Sequence, residues 1–180
     1  WRTRTDLNAA DYGSVFLFPL LHINLADTDA LGRDEPRLRG FRRYNWVRNE
    51  RRSRVVGSAI ARLADEGIDT LGLKGIVLGP RYYPHPAARP MADADILTRR
   101  HDAERAVAVL ERTGWSLMHP PFARELRRGG STPLRNTESE ELDLHWHVLS
   151  VLPFADTDDA FWRGSVPAQI GGVPTRALCP

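Results

Sequence analysis

Two aspartates at alternate positions, Asp93 and Asp95, are the residues of this 180-residue chain best suited to chemistry. They lie in the segment 92–97, where small or apolar residues alternate with acidic ones in the two-residue period of a strand. Both carboxylates therefore project from one face, where their charges repel unless a cation lies between them. Mg²⁺ is commonly held by one or two carboxylates together with substrate phosphates. The pattern predicts a divalent-metal site, and its alternative is a solvated strand edge.

A third carboxylate, Asp143, lies in the clearest strand pattern of the chain, residues 141–148. Alternation places Glu141, Asp143, His145 and His147 on one face and apolar residues on the other. A third carboxylate beside the first two is the usual means of holding a pair of metal ions. The two histidines could also be metal ligands, but a His-x-His pair without a clear third partner is more typical of a structural role.

Positively charged groups and a glycine turn precede the acidic pair. Lys74 and Gly75 close the apolar run 68–73, where backbone amides at a helix start can bind phosphate. Lys74 is the single lysine among 25 lysines and arginines, so we expect it where a compact ammonium is needed. Arg89 ends a proline-rich loop four residues before Asp93. Together with three carboxylates, these groups indicate phosphoryl or nucleotidyl transfer.

The elements that must position these residues change character along the chain. Residues 1–66 have apolar side chains at helical spacing, which predicts a helical region, and Gly67 is the signal that ends its last helix. From there strands and helices alternate, which is typical of a mixed α and β core. The pattern predicts, in order, a strand at 68–73, a loop at 82–90, a strand at 92–97, a helix at 102–112, a strand from Trp115, a polar connection at 127–140, a strand at 141–148, a short helix at 157–162, and a hairpin at 166–177 with a primed turn at Gly171 and Gly172.

Composition excludes several classes of protein. With 42% hydrophobic and 27% charged residues, the chain has the balance of a folded globular domain and not of a disordered tail. Its longest apolar stretch, 15–21, is interrupted by Pro19 and far shorter than a membrane span. The single cysteine, Cys179, excludes an internal disulfide, so we expect a cytoplasmic protein without a membrane partner.

The segment 37–54 contains eight arginines, interleaved with Phe41, Tyr44 and Trp46. This composition predicts either a nucleic-acid-binding surface or a solvated helix face in an arginine-biased proteome. The net charge of the whole chain is only +2, which is unlike a dedicated nucleic-acid-binding protein. We therefore favour the solvated face and keep nucleic acid as the alternative partner.

The order and approximate spacing of these motifs resemble a known family. The motifs are Leu73-Lys74-Gly75, Tyr83-Pro84, Arg89-Pro90-Met91, Asp93-Ala94-Asp95-Ile96-Leu97, Gly114-Trp115 and Leu144-His145-Trp146. Over about residues 67–148 the chain is similar to the bacterial uncharacterised nucleotidyltransferase family, which shares its fold with aminoglycoside nucleotidyltransferases and DNA polymerase β type enzymes. The resemblance implies an α/β (α+β) nucleotidyltransferase fold, with a mixed β-sheet flanked by helices and an N-terminal helical region.

The resemblance also implies roles for individual residues. Asp93 and Asp95 would bind Mg²⁺ and the triphosphate of the nucleotide, and Asp143 would be the third metal-binding carboxylate and activate an acceptor hydroxyl. Gly75 would open the helix that backs the phosphates. The usual Gly-Ser or Gly-Gly turn, with a shorter gap to the acidic pair, is replaced here by Lys74-Gly75, and we infer that Lys74 takes over the missing serine contact.

By the same resemblance, residues 67–150 form the catalytic core, residues 1–66 the N-terminal helical region, and 151–180 a short helix and hairpin that begin a C-terminal part. Members of this family are often longer at the C-terminus, so we expect an acceptor-binding portion beyond this sequence.

These inferences predict a metal-dependent nucleotidyltransferase. It would move a nucleoside monophosphate from a nucleoside triphosphate, with ATP as the default, to an acceptor and release pyrophosphate. The metal would be Mg²⁺ or Mn²⁺, with Lys74, Gly75 and Arg89 at the phosphates. Small molecules, peptides, protein hydroxyls and tRNA ends remain open as acceptors. The alternatives are a non-catalytic nucleotide- or nucleic-acid-binding module that uses helix 37–54, and an enzyme of the same fold that transfers phosphate instead.

Overall fold

The computed structural model describes residues 7–119, 122–123, 126, 129–149 and 157–179. The chain divides into two compact units, the first formed by residues 1–50 and 79–90 and the second by 51–78 and 91–180. Parts of the predicted segments lie outside the described residues: 1–6 of the N-terminal helical region, 120–121, 124–125, 127–128 and 150 of the catalytic core, and 151–156 and 180 of the C-terminal part. The functional division at residues 66 and 150 stays a prediction.

The described elements alternate as the sequence predicts. The α-helices are α1 (Tyr12–Val15), α2 (Phe18–Leu25), α3 (Glu35–Asp65), α4 (Lys74–Tyr82), α5 (Ala103–Arg112) and α6 (Thr157–Arg163). The strands are β1 (Thr70–Leu73), β2 (Ala94–Thr98), β3 (Trp115–Leu117), β4 (Ser131–Asn136), β5 (Glu141–His145), β6 (Val166–Ile170) and β7 (Val173–Ala177). Short 3₁₀ turns lie at Leu7–Ala9, Gly32–Asp34 and Arg100–Asp102. The predicted mixed α and β fold is confirmed, and α3 and α4 each contribute residues to both units.

Two sequence predictions were wrong in detail. The polar connection 127–140 contains strand β4, which the polar composition concealed, because only Thr132 and Leu134 within that strand are buried. The strand predicted at 141–148 ends at His145, so the residues beyond it leave the alternation that the sequence pattern implied.

The strands of the second unit form one mixed sheet in the order β3-β4-β5-β2-β1-β7-β6. The pairs β2–β5 and β1–β7 are parallel, and the other neighbouring pairs are antiparallel. The hairpin β6–β7 turns at Gly171 and Gly172, both at positive φ, which confirms the predicted primed turn. A Cβ at Gly171 would lie 2.3 Å from the carbonyl oxygen of Ser53, so this turn approaches α3 at backbone distance.

The main hydrophobic core of the second unit lies on one face of the sheet, beneath α3, α4 and α5. Its buried members include Val56, Ala59, Ile60 and Leu63 from α3, Ile76 and Val77 from α4, Val107 and Leu110 from α5, and Ile96, Leu134, Leu142 and Leu144 from the strands. A smaller cluster of Leu71, Leu73, Leu97 and Trp162 covers only part of the opposite face. Along β5 buried residues alternate with half-buried ones, so this second face stays partly open beside β5.

In the first unit, two asparagines of α3 hold the proline-rich loop that follows α4. Asn45 donates to the carbonyl of Ala87 (2.6 Å), and Asn49 donates to the carbonyls of Pro86 (2.7 Å) and Arg89 (2.9 Å). Because prolines supply no N–H group, the loop cannot form its own regular ladder, and side-chain amides satisfy its buried carbonyls instead.

A buried guanidinium, that of Arg52, connects the chain ahead of β2 with the chain ahead of β5. The Arg52 side chain is 2% exposed, pairs with the Glu140 carboxylate at 3.1 Å, and donates to the carbonyl of Met91. Met91 lies three residues before β2 and Glu140 one residue before β5. This arginine lies within segment 37–54, so the solvated face expected there does not include it.

No described helix combines the length and the apolar character needed to cross a bilayer. The longest, α3, has 31 residues but carries arginines along most of its length. Cys179 is free and exposed.

Substituting Arg52 by methionine should destabilise the protein, because the carboxylate of Glu140 would lose its buried partner. We expect the free energy of unfolding, measured by urea denaturation, to fall by about 3–5 kcal/mol. The matched control is Arg51→Met, since Arg51 pairs with the same carboxylate (3.4 Å) from a half-exposed position and should cost about 1 kcal/mol or less. Equal losses in the two variants would contradict a special role for Arg52.

Candidate active site

Parallel pairing of β2 with β5 brings two of the predicted carboxylates together. Asp95 lies directly opposite Asp143 in the register, and on its other side Asp95 lies opposite Leu73 of β1. Directly paired residues project to the same face. Asp95 is 2% exposed and Asp143 is half-buried. Both therefore lie on the partly open face of the sheet, away from the main core.

Lys74 supplies a positive charge to this face from the point where β1 becomes α4. Its ammonium lies 2.5 Å from Oδ1 of Asp95, while its side chain stays 60% exposed. Its φ is +46°, in the left-handed region that residues with a Cβ rarely adopt. The sequence predicted a glycine turn here, but the left-handed residue is Lys74, and Gly75 is buried in the first turn of α4.

His145 completes the group, although the sequence favoured a structural role for it. Its Nε2 lies 3.0 Å from Oδ1 of Asp95. Asp95, Asp143 and His145 each offer one ligand atom, and these atoms all lie within 4.8 Å of one another. The signal in the sequence was the spacing of His145 from Asp143, since residues two apart in a strand share a face.

Asp93, the first aspartate of the acidic pair, is half-buried and precedes β2, which begins at Ala94; the strand predicted at 92–97 was therefore wrong at its start, and strand alternation does not place Asp93 on the face of Asp95. It does not belong to the three-residue group, but its charge is close enough to help raise the pKa of both Asp143 and Lys74. Its role as a metal ligand stays a prediction.

His147, which the sequence placed on the same face as His145, lies beyond the end of β5 and is buried. Its Nδ1 lies 2.6 Å from Oδ2 of Asp158, whose other oxygen accepts from the N–H of Val148 at 2.9 Å. These bonds tie the chain after β5 to the start of α6. The structural role that the sequence favoured therefore fits His147, whereas His145 faces the carboxylates.

Opposing effects act on the two paired aspartates. Burial by itself raises the pKa of Asp95, but the hydrogen bonds and positive charges of His145 and Lys74 outweigh it, so this pKa is lowered. Burial and the negative charge of Asp95 together raise the pKa of Asp143. Burial lowers the pKa of Lys74, yet the carboxylates around it outweigh that effect and raise it. The site therefore favours a cation beside Asp95 and opposes a second negative charge at Asp143.

The donor set fits a divalent metal ion. Two carboxylates and one imidazole, with ligand atoms already within a few ångströms of one another, are groups that bind divalent cations in proteins. A cation at this place would relieve the repulsion that raises the pKa of Asp143.

Arg89, the remaining predicted phosphate ligand, belongs to the first unit. It is half-buried, and its carbonyl accepts the hydrogen bond from Asn49. Contact between its side chain and a phosphate stays a prediction.

A family model described as "Uncharacterised nucleotidyltransferase" matches residues 16–180. This range includes all the predicted site residues. No curated protein matches the chain significantly.

Substituting Asp143 by asparagine should stabilise the metal-free protein at neutral pH. Because its pKa is raised on folding, ionised Asp143 opposes folding, and this cost develops as the pH rises above its usual pKa of 3.8. Urea denaturation in EDTA should therefore show a higher midpoint for Asp143→Asn at neutral pH, with an advantage that shrinks as the pH falls. Glu141→Gln, two residues away on the same strand, is the control and should not reproduce the gain. A lower midpoint for Asp143→Asn at neutral pH would contradict the repulsion.

Proposed function

The chain belongs to the uncharacterised nucleotidyltransferase family, and from this premise we propose that it transfers a nucleoside monophosphate from a nucleoside triphosphate to an acceptor hydroxyl. Pyrophosphate is the leaving group. The observation that carries the proposal is the group of Asp95, Asp143 and His145 beside the ammonium of Lys74, on a partly open face of the sheet. Carboxylates and a lysine at one site are suited to a metal-bound polyphosphate.

In this proposal Asp95 and Asp143 hold the divalent cation, Mg²⁺ or Mn²⁺, and Asp93 adds a further carboxylate from the chain just before β2. When bound, the cation neutralises charge on the oxygens of the triphosphate. Without the cation, the site has Asp95 and Asp143 side by side on neighbouring strands. The side chains of Lys74 and His145 both contact Asp95.

Lys74 and the start of α4 bind the phosphates in this proposal. The Lys74 side chain is exposed enough to turn from Asp95 to a phosphate oxygen, and the N–H groups of the first turn of α4, including that of Gly75, are unpaired within the helix. The role of Arg89 as a phosphate ligand stays a prediction from the sequence. The β and γ phosphates, which leave together, need this positive charge most.

Asp143 acts as the base in this proposal. The acceptor oxygen attacks the α-phosphorus, the bond from that phosphorus to the pyrophosphate oxygen breaks, and the acceptor proton passes to a carboxylate oxygen of Asp143. Burial, the first cause of the raised pKa of Asp143, favours the uptake of a proton by this carboxylate. The half-buried side of β5 gives the acceptor a route to this group. ATP is the default nucleotide, and a small molecule, a peptide or a tRNA end could be the acceptor.

The alternative, a nucleic-acid-binding module that uses segment 37–54, has weaker support. Six of its eight arginines have partners within the protein, namely Arg37, Arg39, Arg42, Arg48, Arg51 and Arg52. Three of them, Arg39, Arg51 and Arg52, pair with carboxylates, which offset the positive charge that they could offer to a phosphate backbone.

Asparagine in place of Asp93 or Asp95 should abolish metal-dependent nucleotide binding and transfer. A thermal-shift panel of four nucleoside triphosphates, each with and without Mg²⁺ or Mn²⁺, should identify one that stabilises the wild type only with metal. We expect each variant to lose this response and to transfer label from the α-phosphate at least about 10²-fold more slowly. An α-phosphate label reports nucleotidyl transfer, whereas a γ-phosphate label that reaches the acceptor would indicate phosphoryl transfer. Glu141→Gln is the control, and turnover retained in both aspartate variants would refute the proposal.

Lys74→Met should weaken triphosphate binding more than monophosphate binding, because the ammonium is proposed to meet the leaving phosphates. We expect the calorimetric affinity for the triphosphate with metal to fall about tenfold or more, which corresponds to about 1.4 kcal/mol. The affinity for the monophosphate should change little. Lys74→Arg keeps the charge and should recover part of the loss; an unchanged triphosphate affinity in Lys74→Met would exclude this role.

A further inference from the structure

We propose that His145 is a nitrogen ligand of the catalytic metal and that it makes the site selective for a first-row transition metal, with Mn²⁺ as its probe, over Mg²⁺. The inference rests on the proposed metal-dependent transfer and goes beyond the three-carboxylate site that the sequence implies. For the side chain of His145, the sequence alone predicted a structural role.

The position of His145 follows from strand pairing. Asp143 and His145 lie two apart on β5 and share its face, and the parallel neighbour β2 places Asp95 opposite Asp143. The imidazole therefore reaches Asp95 from the next position along the sheet, with Nε2 3.0 Å from Oδ1. Its side chain is 13% exposed, so the ring is held within the sheet surface and not in bulk solvent.

His145 and His147 have different surroundings, although only one residue separates them. His147 is fixed by Asp158 at 2.6 Å, at a place where that carboxylate also accepts from the backbone. His145 instead has one ring nitrogen within 4.8 Å of a carboxylate oxygen of both Asp95 and Asp143. To coordinate a metal ion, His145 has only to exchange its contact with Asp95 for the cation, because the ligand atoms are already grouped.

Ligand chemistry supplies the selectivity. Mg²⁺ strongly prefers oxygen ligands and retains several waters, whereas imidazole nitrogen suits transition metals, whose affinity for nitrogen sites rises along the first row. A site of two carboxylates and one imidazole therefore gains more from a transition metal than an all-carboxylate site does. Mn²⁺ binds oxygen and nitrogen ligands and is paramagnetic, so it reports directly on a coordinated nitrogen.

Pulsed electron paramagnetic resonance of the wild-type protein loaded with Mn²⁺ alone tests the ligand. We expect modulation from a directly coordinated histidine nitrogen, with frequencies that change when the protein is made with isotopically labelled histidine. His145→Asn should abolish this modulation, and His101→Asn should retain it, because His101 is exposed and lies outside the group. Absence of histidine modulation in the wild type would overturn the proposal, whatever the folding of the variants.

Metal affinities test the selectivity. We expect His145→Asn to lower the affinity for Zn²⁺, which imidazole suits better than it suits Mn²⁺, about tenfold or more, and to leave the affinity for Mg²⁺ nearly unchanged. Equal losses for both metals, or no loss, would overturn the selectivity. Thermal unfolding in EDTA checks that each variant is folded.

These measurements separate the inference from the proposed function. Histidine modulation without any nucleotide transfer would support His145 as a ligand and count against the transferase. Transfer without histidine modulation would leave the transferase standing and overturn the role of His145.

Discussion

The pairing of two aspartates across parallel strands is the constraint on which the rest of the site depends. With Asp95 directly opposite Asp143, the fold places two carboxylates side by side on a largely covered sheet, where their repulsion is poorly screened. Lys74 and His145 both contact Asp95 and offset part of this cost. The pKa of Asp143 nevertheless stays raised, first by burial and then by the negative charge of Asp95. A carboxylate with a raised pKa, like that of Asp143, is typical of sites that bind a cation or a substrate.

A buried ion pair lies where the chain approaches these two strands. Arg52 joins the approach to β2 with the approach to β5, and Glu140, its partner, also pairs with Arg51. A buried ion pair of this kind contributes little net stability over an apolar replacement, but breaking it is costly. The main core covers the opposite face of the sheet and leaves the aspartate face partly open. The second unit thus separates a packed side, which stabilises the fold, from a polar side that is free for chemistry.

At the left-handed turn of Lys74 the chain passes from the sheet into a helix that covers the packed side. α4 begins directly after β1. Lys74, at this point, has a Cβ and is therefore strained at its φ of +46°. In return the ammonium reaches Asp95 from the neighbouring strand end. A lysine in a chain whose other 24 cationic side chains are arginines is consistent with a need for a compact, flexible charge here.

The sequence by itself determined what depends on local pattern and on motif: the mixed fold, the β6–β7 hairpin, the family, and Asp95, Asp143 and Lys74 as candidate site residues. Only the tertiary structure decided which strands pair and in what register, because pairing joins segments far apart in the chain and alternation alone does not fix it. That register brought His145 to Asp95, which its sequence neighbours do not reveal. Only the tertiary structure also showed strand β4 within a polar segment and Arg52 buried in an arginine-rich helix, since burial depends on what packs against a residue and not on its type.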